Sequence, residues 1–144
     1  MISDQLIDSI KRHEGYSGTA YRCPTGRLTI GWGRCVDADV AGTGITEDEA
    51  EMLLENDLKR FSAVARAVAG KEIWALLNQT RREALIEMAY NIGPSLSRFR
   101  MMLAALGRED YEEAASEALS SRWAEQVGQR ADRIAERIRT GVYA

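Results

Sequence analysis

The 144-residue sequence has one histidine, two prolines, two cysteines and no apolar run near the ~18–20 residues that span a bilayer. Two cysteines do not make a disulfide framework. Cys23 and Cys35 share one short segment, and a cytoplasmic chain would keep both reduced. A large charge of either sign is also missing: 19 basic against 22 acidic side chains leave −3. Residues 1–77 carry 9 basic and 12 acidic groups and residues 78–144 carry 10 of each, so neither half reads as a basic nucleic-acid surface. The first residues, MISDQLIDSIKRHEG, scatter acidic groups through any apolar stretch, which argues against a secretory signal or lipid anchor. The chain is therefore expected to accumulate in the cytoplasm without inserting into a membrane, and no metal or cofactor is expected.

What is present is an ordinary globular composition, 45% apolar and 28% charged, enough for one folding unit or two small lobes. Every basic residue after position 77 is Arg, which suits planar contacts or reflects codon bias. Residues 3–13 place Leu6, Ile7 and Ile10 on one helical face, with Ser3 and Asp4 as possible caps. A stretch dense in Gly, Thr and Tyr follows from Gly15 to Gly44. Strand composition at Leu28–Gly33 and turn composition at Pro24–Arg27 predict a small antiparallel sheet there. Thr46 and Glu49 form a capping box opening a long helix that runs to Gly70. Helical periodicity then covers Thr80–Tyr90, Leu96–Leu106, Tyr111–Leu119 and Arg130–Arg139. The fold class is α+β and mainly helical. One domain over 1–144 is expected, with a sheet lobe at about 14–45, a connecting helix at 46–69 and a helical lobe at 70–144. The helix of residues 1–13 is expected to pack with the helical lobe, leaving a cleft between lobes where ligand sites favour such junctions.

Glycoside hydrolysis needs a proton for the leaving oxygen and, usually, an activated water. A carboxylic acid at a helix end against a cleft is the usual donor. Glu14 follows the first helix and precedes Gly15, so it fits that description.

Here the sequence resembles a known family. Glu14-Gly15, Ala20-Tyr21, Cys23, Gly26 and Thr29-Ile30-Gly31-Trp32-Gly33 are similar to the active-site segment of phage-type lysozymes, with eight residues between Glu14 and Cys23 and five between Cys23 and Thr29. Thr46–Glu51 resembles the start of that family's interdomain helix, and Ala84–Gly93 its central helix and following turn. Ser121-Arg122-Trp123, Gln126, Arg130-Ala131, Arg133 and Arg139-Thr140-Gly141 resemble its C-terminal signature.

The resemblance implies a lysozyme-like fold and a muramidase acting on peptidoglycan glycan strands. Glu14 is then the acid, Cys23 and Thr29 position the attacking water, and Arg130 holds Glu14. It places Tyr90, Asn91, Met102 and Glu117 at substrate contacts and Cys35 on the cleft wall. It also implies a monomer that waits in a host cytoplasm and reaches the wall by a holin-like route if the chain comes from a phage.

Cys23 stands where many members have Asp. A free thiol titrates at about 8.5, and nearby Glu14 would oppose its ionisation, so Cys23 is expected to be a weaker base than Asp or mainly a positioning group. Nucleophilic attack by Cys23 and a Cys23–Cys35 bond stay open at this point. Arg34 stands where the family usually has His, and an Arg34–Asp57 pair is expected by analogy. The loop between Gly33 and Thr46 is shorter than in the T-even enzymes, so a reduced small lobe is expected. Competing functions are a lytic transglycosylase and a non-catalytic wall-binding module. The mild acidity predicts activity that falls less steeply with salt than in basic lysozymes.

Overall fold

The computed structural model describes residues 1–37 and 44–143, and these fall into two compact units, Met1–Met52 and Leu53–Ala144. The shortened loop expected between Gly33 and Thr46 lies largely outside the described residues.

In the first unit, helix α1 (Asp4–Glu14) begins at Ser3, whose hydroxyl accepts from the Leu6 amide at 3.3 Å. Asp4 in the first turn and Lys11, Arg12 and His13 in the last complement the helix dipole. The helix stops at Gly15, whose amide donates to Lys11 O from a backbone with φ of 72°. Strands β1 (Ser17–Arg22), β2 (Leu28–Gly31) and β3 (Arg34–Cys35) then form an antiparallel sheet in the order β1-β2-β3. Tyr21 lies opposite Thr29, and Thr29 lies opposite Cys35. The β1–β2 turn is closed on both sides, by Cys23 N–H to Arg27 O at 2.9 Å and Gly26 N–H to Cys23 O at 2.8 Å. Among the described residues of this unit, only Thr29 is buried.

Helix α2 (Glu47–Ala69) opens with the expected capping box. Glu49 N–H donates to the Thr46 hydroxyl at 3.2 Å, and Thr46 N–H donates to the Glu49 carboxylate at 2.8 Å. The same carboxylate receives two bonds from Arg34, at 2.7 and 2.8 Å. The expected Arg34–Asp57 pair is therefore wrong: Asp57 binds Arg60 at 2.7 Å instead. Asp57 sits two helical turns beyond Glu49, about 12 Å along the axis, whereas Glu49 is already fixed beside β3 by its cap.

The second unit is helical: α3 (Lys71–Leu76), α4 (Gln79–Ile92), a 3-10 turn (Gly93–Arg98), α5 (Arg100–Gly107), α6 (Tyr111–Leu119), α7 (Arg122–Val127) and α8 (Gln129–Thr140). Asn78, Asp110 and Ser121 cap α4, α6 and α7 through their side-chain oxygens. The helix expected over Leu96–Leu106 starts late, because Gly93-Pro94 winds its first part as a 3-10 turn. α8 packs on α4 and α6, and α5 packs on α6. The core sits here, with Leu85, Met88, Leu96, Met102, Leu106, Ile134 and Ile138 wholly buried. Burying each of these large apolar side chains stabilises the fold by roughly 1.5–3 kcal/mol.

Candidate active site

On the first unit, the pleat decides which side chains share a face. Cross-strand partners point the same way, and so do residues two apart along a strand. Tyr21, Thr29 and Cys35 are therefore neighbours, and Cys23 follows two residues after Tyr21. These residues line a pocket of about 500 Å³ together with Glu14 and Arg27, and His13 adds to the wall. The sequence-predicted trio of Glu14, Cys23 and Thr29 is thus brought to one concavity, with Cys35 beside it.

Glu14 ends α1 and is exposed. Its carboxylate lies against the backbone of Gly33, where a Cβ would stand 2.8 Å from Oε2. Gly33 also has φ of 81°, a conformation that L side chains rarely adopt. The backbone conformation reserves that position for glycine, and a side chain there would push the Glu14 carboxylate aside. Thr29 is 4% exposed, and its hydroxyl donates to Arg27 O at 3.0 Å. With its hydrogen directed there, the Thr29 oxygen keeps lone pairs with which to accept a hydrogen bond.

Cys23 lies directly after β1, at the start of the turn. Its Sγ lies 3.0 Å from Thr25 Oγ1. The Thr25 hydroxyl is the main cause that lowers the thiol to about 7; burial opposes it, and weaker hydrogen bonds from the backbone and Thr29 assist it. A lower value makes the thiolate more abundant near neutral pH while leaving it a weaker base than an ordinary thiolate. Both cysteines are free. Cys23 follows the end of β1 and Cys35 lies in β3, with β2 between these strands, so two inter-strand spacings, roughly 9–10 Å, separate the strands that carry them. A disulfide needs less than ~7 Å, so the pair cannot bond without movement of the strands.

The second unit holds the remaining expected site residues. Arg130, expected to partner Glu14, donates here from Nε to Glu87 at 3.1 Å. Glu87 also binds Arg137, which donates to the Tyr143 hydroxyl at 2.9 Å, and Tyr143 donates to Glu83 at 2.6 Å. The Tyr143 hydroxyl, with Gln79, holds Glu83 below the usual carboxylate range. This network borders a pocket of about 830 Å³, with Leu54, Leu58 and Ile86 as apolar wall and Tyr90 beside them. Tyr90 is exposed and meets Phe61 edge-on at 5.4 Å. The Asn91 side-chain oxygen accepts from the indole N–H of Trp123 at 2.8 Å. Glu117 is half-buried, and its hydrogen bond raises the Glu113 carboxyl above its ordinary value. Met102 is wholly buried in the core, out of reach of a sugar, which corrects its expected contact role.

Sequence reasoning missed Thr25, Gly33 and the partner Glu87. A hydroxyl two residues after Cys23 in a tight turn was the one readable signal, since side chains that close can meet only when the turn folds back. Among the described residues, no group of three His, Cys, Asp or Glu side chains is placed to hold a metal ion. No helix there is long and apolar enough to cross a membrane.

The profile of the phage lysozyme family matches residues 11–140. The chain belongs to that family. It is 31% identical over 116 residues to the endolysin of Acyrthosiphon pisum secondary endosymbiont phage 1, covering 81% of this chain and 76% of that one. The endolysin of Salmonella phage P22 is 30% identical over 118 residues, 79% of this chain and 78% of its own. The pre-baseplate central spike protein Gp5 of Enterobacteria phage T4 is 27% identical over 159 residues, which covers 94% of this chain but 28% of Gp5. The matched region takes in Glu14, Cys23 and Thr29 and runs to the end of α8, and the chain is a lysozyme-type glycosidase.

Proposed function

We propose that this chain is an endolysin-like muramidase that hydrolyses the β-1,4 bond between N-acetylmuramic acid and N-acetylglucosamine in peptidoglycan. The observation that carries this reading is the pocket of the first unit, where a helix-terminal carboxylate shares one concavity with a thiol and a hydroxyl.

Glu14 gives its proton to the leaving oxygen as the bond breaks. A water held by Cys23 and Thr29 attacks the anomeric carbon, with Thr29 accepting one of its hydrogens and the sulfur taking the other. The products together carry one added water, and attack from the far side inverts the anomeric centre. On the second unit, exposed Tyr90 beside its apolar pocket is the proposed sugar contact. The chain acts as a monomer and, if phage-borne, crosses the host membrane by a holin-like route.

The test is turbidity loss of purified peptidoglycan with parent, Glu14→Gln and Cys23→Ser, followed by product masses and anomeric configuration. Lysis by the parent, its loss in Glu14→Gln, and inverted products carrying one water are expected. Products lighter by that water would make the chain a transglycosylase. Retained configuration would make Cys23 a nucleophile. Peptidoglycan binding without turnover, unchanged by Glu14→Gln, would make it a binding module.

A further inference from the structure

The pocket contains one polar contact that the proposed reaction leaves unexplained, between a sulfur inside it and a hydroxyl in the turn beside it. Thr25 is exposed and has no core to fill, yet its Oγ1 lies 3.0 Å from Cys23 Sγ. The backbone holds this geometry from both sides, through Gly26 N–H to Cys23 O and Cys23 N–H to Arg27 O. Thr29 offers the sulfur only a minor contact, because its hydroxyl hydrogen points to Arg27 O. Among the described residues, the Thr25 hydroxyl has no other recorded partner. A thiolate accepts and cannot donate, so the Thr25 hydrogen is directed at the sulfur whenever the thiol is ionised.

We infer that Thr25 is a positioning residue that donates to Cys23 Sγ and keeps the sulfur anionic and aimed into the pocket as the base for the attacking water. This rests on the hydrolytic reading above for its role in turnover, but the thiol chemistry can be read separately. The other charged or titratable groups facing the pocket are His13 and Glu14 from α1, Tyr21 from β1, Arg27 from the turn and Cys35 from β3. The Thr25 hydroxyl is the largest influence on the thiol, ahead of burial, which opposes it. In the reaction the sulfur takes a proton from water as oxygen bonds to carbon, while Glu14 releases one to the leaving sugar. Between turnovers Cys23 returns its proton to solvent and Glu14 regains one, so the cycle consumes a single water.

The experiment follows the pH dependence of Cys23 alkylation by iodoacetamide, read site by site by mass spectrometry so that Cys35 does not interfere. Parent, Thr25→Val and Thr25→Ser are compared, with circular dichroism to check that each is folded. The midpoint is the readout because thiolate reactivity itself rises with basicity and blunts a rate at a single pH. The parent midpoint is expected near 7. Thr25→Val is expected to raise it by about one unit or more toward the ordinary thiol value, and Thr25→Ser to restore it. The ascending limb of the pH–lysis profile should move by the same amount, in kcat and not in KM.

An unchanged midpoint in Thr25→Val would overturn the inference. So would a parent midpoint at or above the ordinary thiol value, or a Thr25→Ser midpoint that stays with Val. A parent that shows the expected alkylation shifts but lyses nothing at any pH would refute the hydrolase reading while upholding the hold of Thr25 on the sulfur.

Discussion

Gly33→Ala separates the position of the acid from the stability of the fold. Two effects follow from the new methyl group. At φ of 81° an L side chain strains the backbone by about 1–2 kcal/mol. In addition, the Cβ would stand 2.8 Å from the Glu14 carboxylate, where ordinary contact begins near 3.4 Å. The carboxylate must therefore retreat by roughly 0.6 Å, and displacements approaching 1 Å at a reacting group cost up to about a hundredfold in rate. Gly31 supplies the control. Its φ of 69° imposes a comparable backbone strain, but a Cβ there meets nothing within 4 Å. Both alanine variants are thus expected to melt a few degrees lower, by ~2–4 °C for each kcal/mol in a chain of this size. Only Gly33→Ala is expected to lose roughly ten- to a hundredfold in kcat/KM on peptidoglycan. Equal activity in the two variants would refute the claim that Gly33 makes room for the acid.

Two further expectations concern stability. Arg34, and then the Thr46 amide, hold the Glu49 carboxyl down to about 2. Because its folded value is depressed, its contribution is complete above the unfolded value of about 4.3 and is lost as pH falls toward about 2. Thermal melts of Glu49→Gln should therefore vary less with pH across that window than those of the parent, and an Arg34→Gln/Glu49→Gln cycle should show coupling where Arg34→Gln/Asp57→Asn is additive. Asn91→Ala leaves the buried indole N–H of Trp123 without its acceptor and should cost about 1–3 kcal/mol in urea unfolding. An unchanged midpoint there would mean that Asn91 does not secure Trp123.

Features set by neighbours in sequence were legible. Ser3 caps α1, Thr46 and Glu49 make their reciprocal box, and Tyr111–Leu119 is helical as read, because capping and amphipathic period are local properties. Family spacing singles out Glu14, Cys23 and Thr29, and these three line one pocket, where the sheet register sets Thr29 between Tyr21 and Cys35. What failed depended on which groups meet in space. Arg34 was assigned to Asp57 by analogy, yet the nearest fixed carboxylate beside β3 belongs to the first turn of α2. The contact of Thr25 with Cys23 was not legible either, because it depends on how the turn folds back. Short α3 and α7 escaped notice because six residues barely complete a hydrophobic period.

The double use of Glu49 has a consequence for how this protein can vary. Arg34 also donates to Gly44 O at 2.9 Å, and Gly44 N–H reaches Cys35 O at 3.0 Å, so the chain between β3 and α2 is clasped at its base. The entropy of closing a chain between two joined ends grows slowly with its length, by about 0.6 kcal/mol for each doubling. Arg34 and Glu49 thereby hold the two ends of this segment together. Insertions between Cys35 and Gly44 are therefore expected to leave lysis of peptidoglycan unchanged as long as Arg34 and Glu49 are kept, and a loss of lysis would refute this.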